Sequence, residues 1–587
     1  MLSPESELLA RFTEELRYLR SMSARFHHQH ADVAGGLELG AGVTPDPHVE
    51  RLIESFALLT ARIRSDLHDD FPEIAGELLR ILYPHFVNPL PSMTIVRFEP
   101  GEKHATVPAR KKVFGSTAEG EVCWFETCYD TAVWPVRVKE VRGTQHVSDF
   151  AGIPAAEREN PSGTVLRLAL ETLGQATFEA LDIDTLRVFV NNDALIRALY
   201  PLLLDGDCRR VAVLDPASGR LSADCIEVAP VGFGKDEQVL HYESGAHPAY
   251  RILQEYFAFE RKFHFFDVKG LRGLLSGKAV NLLIFLHDAL PNPALLHRDA
   301  FVLNCTPAVN LFRHVSEPIR VHQRDFEYEL VADYRARSTV IHSIESVSGS
   351  SDRRQTLREY APFYSFTHHA QTQSALWHAR REGDAMVLSF FDADFNPAVP
   401  GDEIVYAHVR CTNGELAHRL EAGAPLQSDE DLSVNGIVSL TKPTAPVPPP
   451  FGGERLWRLV SHLSLNYLSM ESDGDALLAL REILMLYCPE GMPLLRRRIQ
   501  GIQGMKARKV MRRVDVWQDF AFVRGTEVTL HFDDALMNDN YLLFTLVLSH
   551  FLALHASLNS FLQLVITSDH EGKGYRCPMM IGGRPVL

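Results

Sequence analysis

The sequence predicts a multidomain α+β protein with an N-terminal helical region, a β-rich middle and a C-terminal α+β region. Three observations carry this reading. Apolar residues recur at steps of three and four through the first 93 residues, the pattern alternates from Met93 onward, and helical and strand patterns mix again after a proline-rich run. The divisions fall at 1–93 (helical region), 94–300 (mixed β/α), 301–440 (β-rich), 441–454 (proline-rich linker) and 455–587 (C-terminal α+β). A chain of 587 residues has room for about three to five domains.

In "SPESELLARFTEELRYLRSMSARF", Leu8, Phe12, Leu16, Leu19, Met22 and Phe26 paint one helix face. Ser3 before Pro4 suits an N-cap with proline in the first turn, and Gly35-Gly36 end the segment. "DPHVERLIESFALLTARIRSDL" is the second helix, with Asp46 as its cap and Pro47 in its first position. Val49, Leu52, Phe56, Leu59 and Ile63 form a bundle-type seam there. Such a seam fits a core within one chain and an interface between chains equally well.

"SMTIVRFEP" then alternates as a strand, as do segments of "ETCYDTAVWPVRVKEVRG", "TVLRLALETL" and "TLRVFVNN". "DALIRALYPLLL" reads as a helix, residues 141–163 as a polar loop, and 301–440 as a strand-rich region with many turns. "TKPTAPVPPPFGGE" at 441–454 favours an extended, semi-rigid segment and is the candidate hinge. After it come "RLWRLVSHLSLNYLSM", "DALLALREILMLY", a basic stretch, the strand "TEVTLHF", an apolar helix and "FLQLVITS".

The net charge of −16 disfavours a general nucleic-acid binder. Eight dispersed cysteines without a CxxC pair indicate neither a disulfide framework nor a zinc site, and fit reduced thiols in a cytosolic protein. The N-terminus has no apolar signal core. "YLLFTLVLSHFLALHASL" at 541–558 carries two histidines and two serines and lacks basic anchors. A span needs about 20 predominantly apolar residues, so this is read as a buried core or interface helix with no direct membrane insertion, in a soluble protein.

Candidate chemistry gathers first in "SDLHDDFPEIAGELLRILYPHFVNPLPSM", where His68, Asp69, Asp70, Glu73, Glu77 and His85 are metal-ligand and acid–base types. Each has a structural role available. Asp70 and Glu73 make a capping-box-like helix start, His68 falls in the last turn of the preceding helix, and the prolines force an extended exit. The stretch is read as a helix–helix joint. His27 and His30 lack further ligands at metal-binding spacing, and "GFGKDE" lacks the third glycine of a phosphate loop. "GLLSGKA" has too short a spacing and Ala279 in place of a magnesium-binding hydroxyl, which excludes a P-loop. Ser461, His462 and Asn466 of "SHLSLN" sit in a leucine-patterned helix. No catalytic residue, cofactor or metal ligand is assigned.

"RRRIQGIQGMKARKVMRR" at 496–513 holds eight Lys/Arg and no acid. It lacks interleaved aromatics for stacking bases. It reads as a solvated face or as a docking surface for an acidic partner, with Arg496, Arg497 and Arg498 as the docking candidates.

"ELRYLR", "DPHVERLIESFALLTARI", "DDFPEI…LYPHFVNPLPSM", "YRILQEYFAF", "CTPAVNLF…EPI", "LTKPT", "LWRLVSHLSLNYLS" and "LNSFLQLVI…GGRPVL", in this order over nearly the whole chain, resemble the TssF (VasA/ImpG) family of type VI secretion baseplate subunits. Departures are Gly414 and Ala417 where Arg and Pro are usual, Glu260 where Pro is usual, and Cys577 in place of Trp. The resemblance implies a non-enzymatic wedge protein similar to those of contractile phage tails, with two copies of TssF joining one TssG. It further implies TssK, TssE and the VgrG spike as partners, docking on the membrane complex from the cytoplasmic side, and initiation of tube and sheath polymerisation. Leu52, Phe56, Leu59 and Ile63, or the 541–558 helix, are then candidates for bundles between subunits. The alternatives are a hydrolase with an unrecognised carboxylate/His site and a nucleic-acid binder using 496–513.

Overall fold

A computed structural model describes residues 16–20 and 50–60 of the N-terminal region, then 86–144, 164–205, 211–241 (except 217–218, 220 and 223–225), 248–286, 296–321, 325–351 (except 337), 357–363, 376–391, 403–449, 473–516 (except 490), 519–533, 541–553, 560–568 and 575–582, with a few single positions besides. The chain divides into two units, residues 1–87 with 450–465, and residues 88–449 with 466–587.

In the first unit the described residues are helical. Residues 50–60 turn Ala57 fully inward, with Ile53 and Thr60 half-buried on the same stripe. The Arg20 guanidinium donates to Glu50 Oε1 from Nε at 2.9 Å and from Nη2 at 2.5 Å, tying the first helix to the second. His68, Asp69, Asp70, Glu73, Glu77 and His85 of the expected joint, His27 and His30, and Ser461, His462 and Asn466 all lie outside the described residues.

The second unit is built on sheets, and their order shows how non-local the pairing is. One six-stranded sheet runs Pro425–Leu426, Val434–Ser439, Met93–Pro100, Cys305–Val309, Val122–Thr127, Lys112–Ser116. Met93–Pro100 is central there, so Met93, Thr94, Ile95 and Val96 are all buried and the expected alternation becomes burial on both faces. A five-stranded sheet contains Val136–Thr144, Thr164–Thr172, Ala279–Leu286, Val211–Leu214 and Leu221–Ser222. A four-stranded sheet orders Glu227–Pro230, Phe265–Lys269, Thr185–Val190 and Phe301–Leu303. An eight-stranded sheet spans strands from Phe312–Val315 to Glu403–Thr412.

The expected division at residue 300 is therefore crossed by two hydrogen-bonded ladders. Cys305–Val309 pairs with Met93–Pro100, and Phe301–Leu303 pairs with Thr185–Val190, so segments on either side of residue 300 share sheets. The proline-rich segment also differs from a free linker over its described part. Thr441 Oγ1 accepts from the Ile95 amide at 3.1 Å, Thr444 N donates to Met93 O at 2.9 Å, and Leu90 and Val447 exchange amide bonds at 2.8 and 2.9 Å. Residues 441–449 thus lie along the first strand as an added edge. The rest of the candidate hinge, 450–454, lies outside the described residues.

At the C-terminal end, Ile502–Val516 and Asp519–Phe532 form a long antiparallel hairpin. Gly525–Phe532 of its second strand then pairs in parallel with Phe561–Ser568. Gly525 is required there: a Cβ would stand 2.5 Å from atoms of the buried Phe561 ring. The helix Tyr541–Ala553 is buried nearly all round, which is why it is apolar on every face. It packs on the helices Pro248–Ala258 and Asp193–Asp205 and on Phe561–Ser568, with Phe544 stacked on Tyr256 at 5.5 Å. Its role in this chain is core. No helix among the described residues is long and apolar enough to cross a membrane.

Candidate assembly surfaces

The residues that looked chemical at sequence level are tied up locally. In "GFGKDE", the amides of Gly232 and Gly234 donate to Glu237 Oε2 at 2.7 and 2.9 Å, so the loop binds its own carboxylate where a phosphate loop would hold a ligand. Gly232 has φ 108°, and a Cβ there would meet the Phe263 ring and Lys262. "GLLSGKA" is a turn leading into the strand Ala279–Leu286, with Gly277 N bonded to Glu179 Oε1 at 2.8 Å. Among the described residues no group of three or more His, Cys, Asp and Glu is placed to hold a metal ion.

The strongest buried polar cluster lies under that loop. Glu255 and Lys262 are a fully buried ion pair. Glu255 Oε1 also accepts from the amides of Val239 and Leu240 at 2.8 and 2.9 Å, and Lys262 donates to Glu237 O at 2.9 Å. Arg251, one turn before Glu255, reaches Gly234 O at 2.8 Å. Burial lowers the Lys262 pKa, with the Glu255 carboxylate working against that. Every charge here is answered by a neighbour, so the cluster clamps loop 232–241 to the helix Pro248–Ala258. Its sequence signal is a set of charges inside the otherwise apolar "YRILQEYFAF", a stretch whose individual residues had no assigned role.

A cavity of about 710 Å³ opens beside this helix, lined among others by Asp193, Tyr256, Glu260, His264, Leu494 and Arg498. Arg498 Nη1 donates to Tyr256 Oη at 2.7 Å and to Glu260 Oε2 at 2.9 Å. Glu260 is thus the acceptor that anchors the helix Pro493–Gln500. Burial pushes the His264 pKa down to about 4, with the Asp193 carboxylate 3.8 Å away opposing the shift. Glu260 is ion-paired and Asp193 is largely exposed, which leaves the cavity without a pair of carboxylates set apart for acid–base work.

The docking candidates separate. Arg496 and Arg497 are exposed, whereas Arg498 is largely buried in the contacts above. Further along, Arg508 Nε and Arg512 Nη2 both donate to the buried Glu527 carboxylate at 2.7 and 2.8 Å. Arg498, Arg508 and Arg512 of the 496–513 stretch therefore hold the fold itself. In the N-terminal unit, Leu52, Phe56 and Leu59 are 67%, 63% and 58% exposed, while Ile63 lies outside the described residues. The apolar seam of residues 50–60 points away from the stripe that Ala57 buries.

Sequence reasoning missed one surface. The hairpin Ile502–Val516/Asp519–Phe532 runs past the end of its parallel partner, and near its tip Met511 and Phe522 are 57% and 65% exposed. The basic residues there had been read as a charge run, and the strand period beneath them was not.

Comparison with known proteins gives consistent matches. A family model described as "Type VI secretion system, TssF" matches residues 4–584. "Type VI secretion system component TssF1" of Pseudomonas aeruginosa strain PAO1 is 29% identical, over 99% of this chain and 99% of that protein. A solved chain from the TssK-TssF-TssG baseplate subcomplex of a type VI secretion system, determined by cryo-electron microscopy, is 26% identical with a TM-score of 0.74, covering 92% of this chain and 99% of that chain. A chain in the baseplate complex of the type VI secretion system shares the fold at 24% identity and a TM-score of 0.57, covering 99% and 100% of the two chains.

Proposed function

This chain belongs to the TssF family of the type VI secretion system, and from that premise we propose that it is a structural subunit of the secretion baseplate. The observation that carries this reading is the match over nearly the full length, in sequence and in fold, to a chain solved in a complex with TssK and TssG. TssG- and TssK-type subunits are accordingly its nearest partners. Two copies of the chain joining one TssG, with TssE and the VgrG spike alongside and docking on the membrane complex from the cytoplasmic side, complete the proposed assembly. Its work there is mechanical, to hold a wedge through large interfaces from which tube and sheath polymerisation starts.

Within that assembly, Leu52, Phe56 and Leu59, with Ile63, are the proposed bundle contact, and Arg496 and Arg497 the proposed basic docking pair. Arg498 has the separate role of fixing the helix that presents those two. The exposure of the apolar seam supports the bundle contact, since an intrachain core would have covered it. Co-expression with the cognate TssG- and TssK-type proteins, followed by mass measurement of the purified complex, tests the proposal. The expected result is a stable complex with more than one copy of this chain per TssG. A chain that stays alone in the presence of both would overturn it.

A further inference from the structure

Residues 312–412 make a body of their own inside the second unit. Every ladder of the eight-stranded sheet joins strands within that stretch, from Phe312–Val315 to Glu403–Thr412. The core is internal as well: the buried cluster that includes Phe312, Tyr328, Leu388, Phe390, Val405 and Val409 draws all its members from this insert. Among the described residues, Trp124 is the one apolar side chain from outside that packs against it. The chain enters from Cys305–Val309 and returns to Pro425–Leu426, both in the six-stranded sheet. These two crossings lie side by side. Asn310 Nδ2 donates to Asn413 Oδ1 at 2.9 Å, the Asn413 amide donates to Asn310 Oδ1 at 2.7 Å, and both residues are buried. Asn413 Oδ1 also accepts from the Trp124 amide at 2.9 Å, and the Asn310 amide donates to Ser92 O at 2.8 Å. The neck is thus fastened to itself and to the body.

Beyond the neck, the contact between insert and body can part without stranding a charge. Arg410 of the insert lies 4.0 Å from Glu126 of the body, while its Nε stands 2.6 Å from Glu345 Oε1 within the insert. Glu126 has His241 Nε2 at 3.4 Å and Arg110 Nε at 3.8 Å on its own side. Trp124 rests on Phe114 of its own sheet at 4.7 Å and on Phe312 of the insert at 6.5 Å. His342 of the insert donates to the Pro89 carbonyl, a bond that water can replace. Each side therefore keeps partners of its own when the two separate, which avoids the cost of a lone buried charge. Interfaces between bodies of one chain permit relative motion unless they are large and hydrophobic, and here Trp124 supplies the apolar part. We infer that residues 312–412 swing as one rigid body on the Asn310/Asn413 neck, with Arg410–Glu126 and Trp124–Phe312 as the latch. The pivot falls where hinges generally fall, at the ends of elements: between Val309 and Phe312 on the way in, and at Asn413 and Gly414 (φ 52°) on the way out.

The test uses the full chain alone, so its outcome is independent of the baseplate reading. Spin labels carried on unnatural side chains at Lys103 and Glu329 read the distance from body to insert, and labels at Glu329 and Glu359 the distance within the insert. All three positions are exposed. Glu126→Gln and Trp124→Ala each weaken the latch and leave Arg410 paired with Glu345. The expected result is a second, displaced body-to-insert distance in both variants, while the distance within the insert keeps its natural value. In rising denaturant, the amides of Val405, Ala407 and Val409 are expected to exchange as one group, at a different denaturant concentration from those of Ile95 and Val96. A body-to-insert distance unchanged in both variants overturns the swing. So does a within-insert distance that broadens in step with it, since that marks local unfolding. Exchange of both amide groups in a single transition overturns the insert as a body of its own.

Discussion

Glu255 stands at the centre of a fully buried polar cluster in the second unit. It answers the Lys262 ammonium and two backbone amides, and all of these are out of water. Removing one partner of such a pair leaves the other charge buried and alone, which costs about 3–5 kcal/mol. Glu255→Ala is therefore expected to lower the melting temperature sharply and to open loop 232–241 to proteolysis. Near it, His264 sets a pH dependence. Its folded pKa of about 4 lies below the ordinary value of about 6.5, so the unfolded chain takes up the proton first as the pH falls. Its contribution is complete above pH 6.5 and is lost progressively toward pH 4, to a total of order 3 kcal/mol. Stability measured over that range is expected to fall with acid, and His264→Phe to flatten part of the fall.

The proline-rich segment and the basic stretch show what composition reveals about elements and what it leaves out. Seven prolines and glycines between 441 and 454 signal extended chain, and extended chain is found over 441–449. The edge it joins was illegible, because the threonine hydroxyls that fix it reach residues about 350 positions earlier. Thr441→Val is expected to strand the Ile95 amide without an acceptor, at a cost of about 1–3 kcal/mol. Faster hydrogen exchange at Ile95 is the readout. The stretch 496–513 read as one charge run but folds as the end of the helix Pro493–Gln500 and most of a long strand. Its cations had masked the alternation of Met505, Ala507 and Met511. The 541–558 segment was better defined by its composition: uniform apolarity excludes an amphipathic surface helix, and the helix is core.

At the scale of the whole molecule, the proposed bundle contact lies apart from the residues that Ala57 and its stripe bury. Leu52 and Phe56 are exposed, so changing them leaves the lone chain's core untouched. Leu52→Asp with Phe56→Asp is expected to shift the stability of the isolated chain by no more than about 0.5 kcal/mol per site. The same pair is expected to abolish co-purification with a TssG-type partner. Co-purification at natural levels would place the bundle contact elsewhere.

The sequence by itself determined the type of many of the described elements and the family, since each is written in local periodicity or in the order of short segments. It also marked the helix of residues 50–60 as having an apolar seam. Tertiary structure decided which way that seam faces, which of three consecutive arginines is consumed internally, and that strands around residues 95, 307 and 437 lie side by side. The physical reason is one of range. Periodicity reports how neighbours along the chain share a face, whereas burial and strand pairing depend on groups hundreds of residues away.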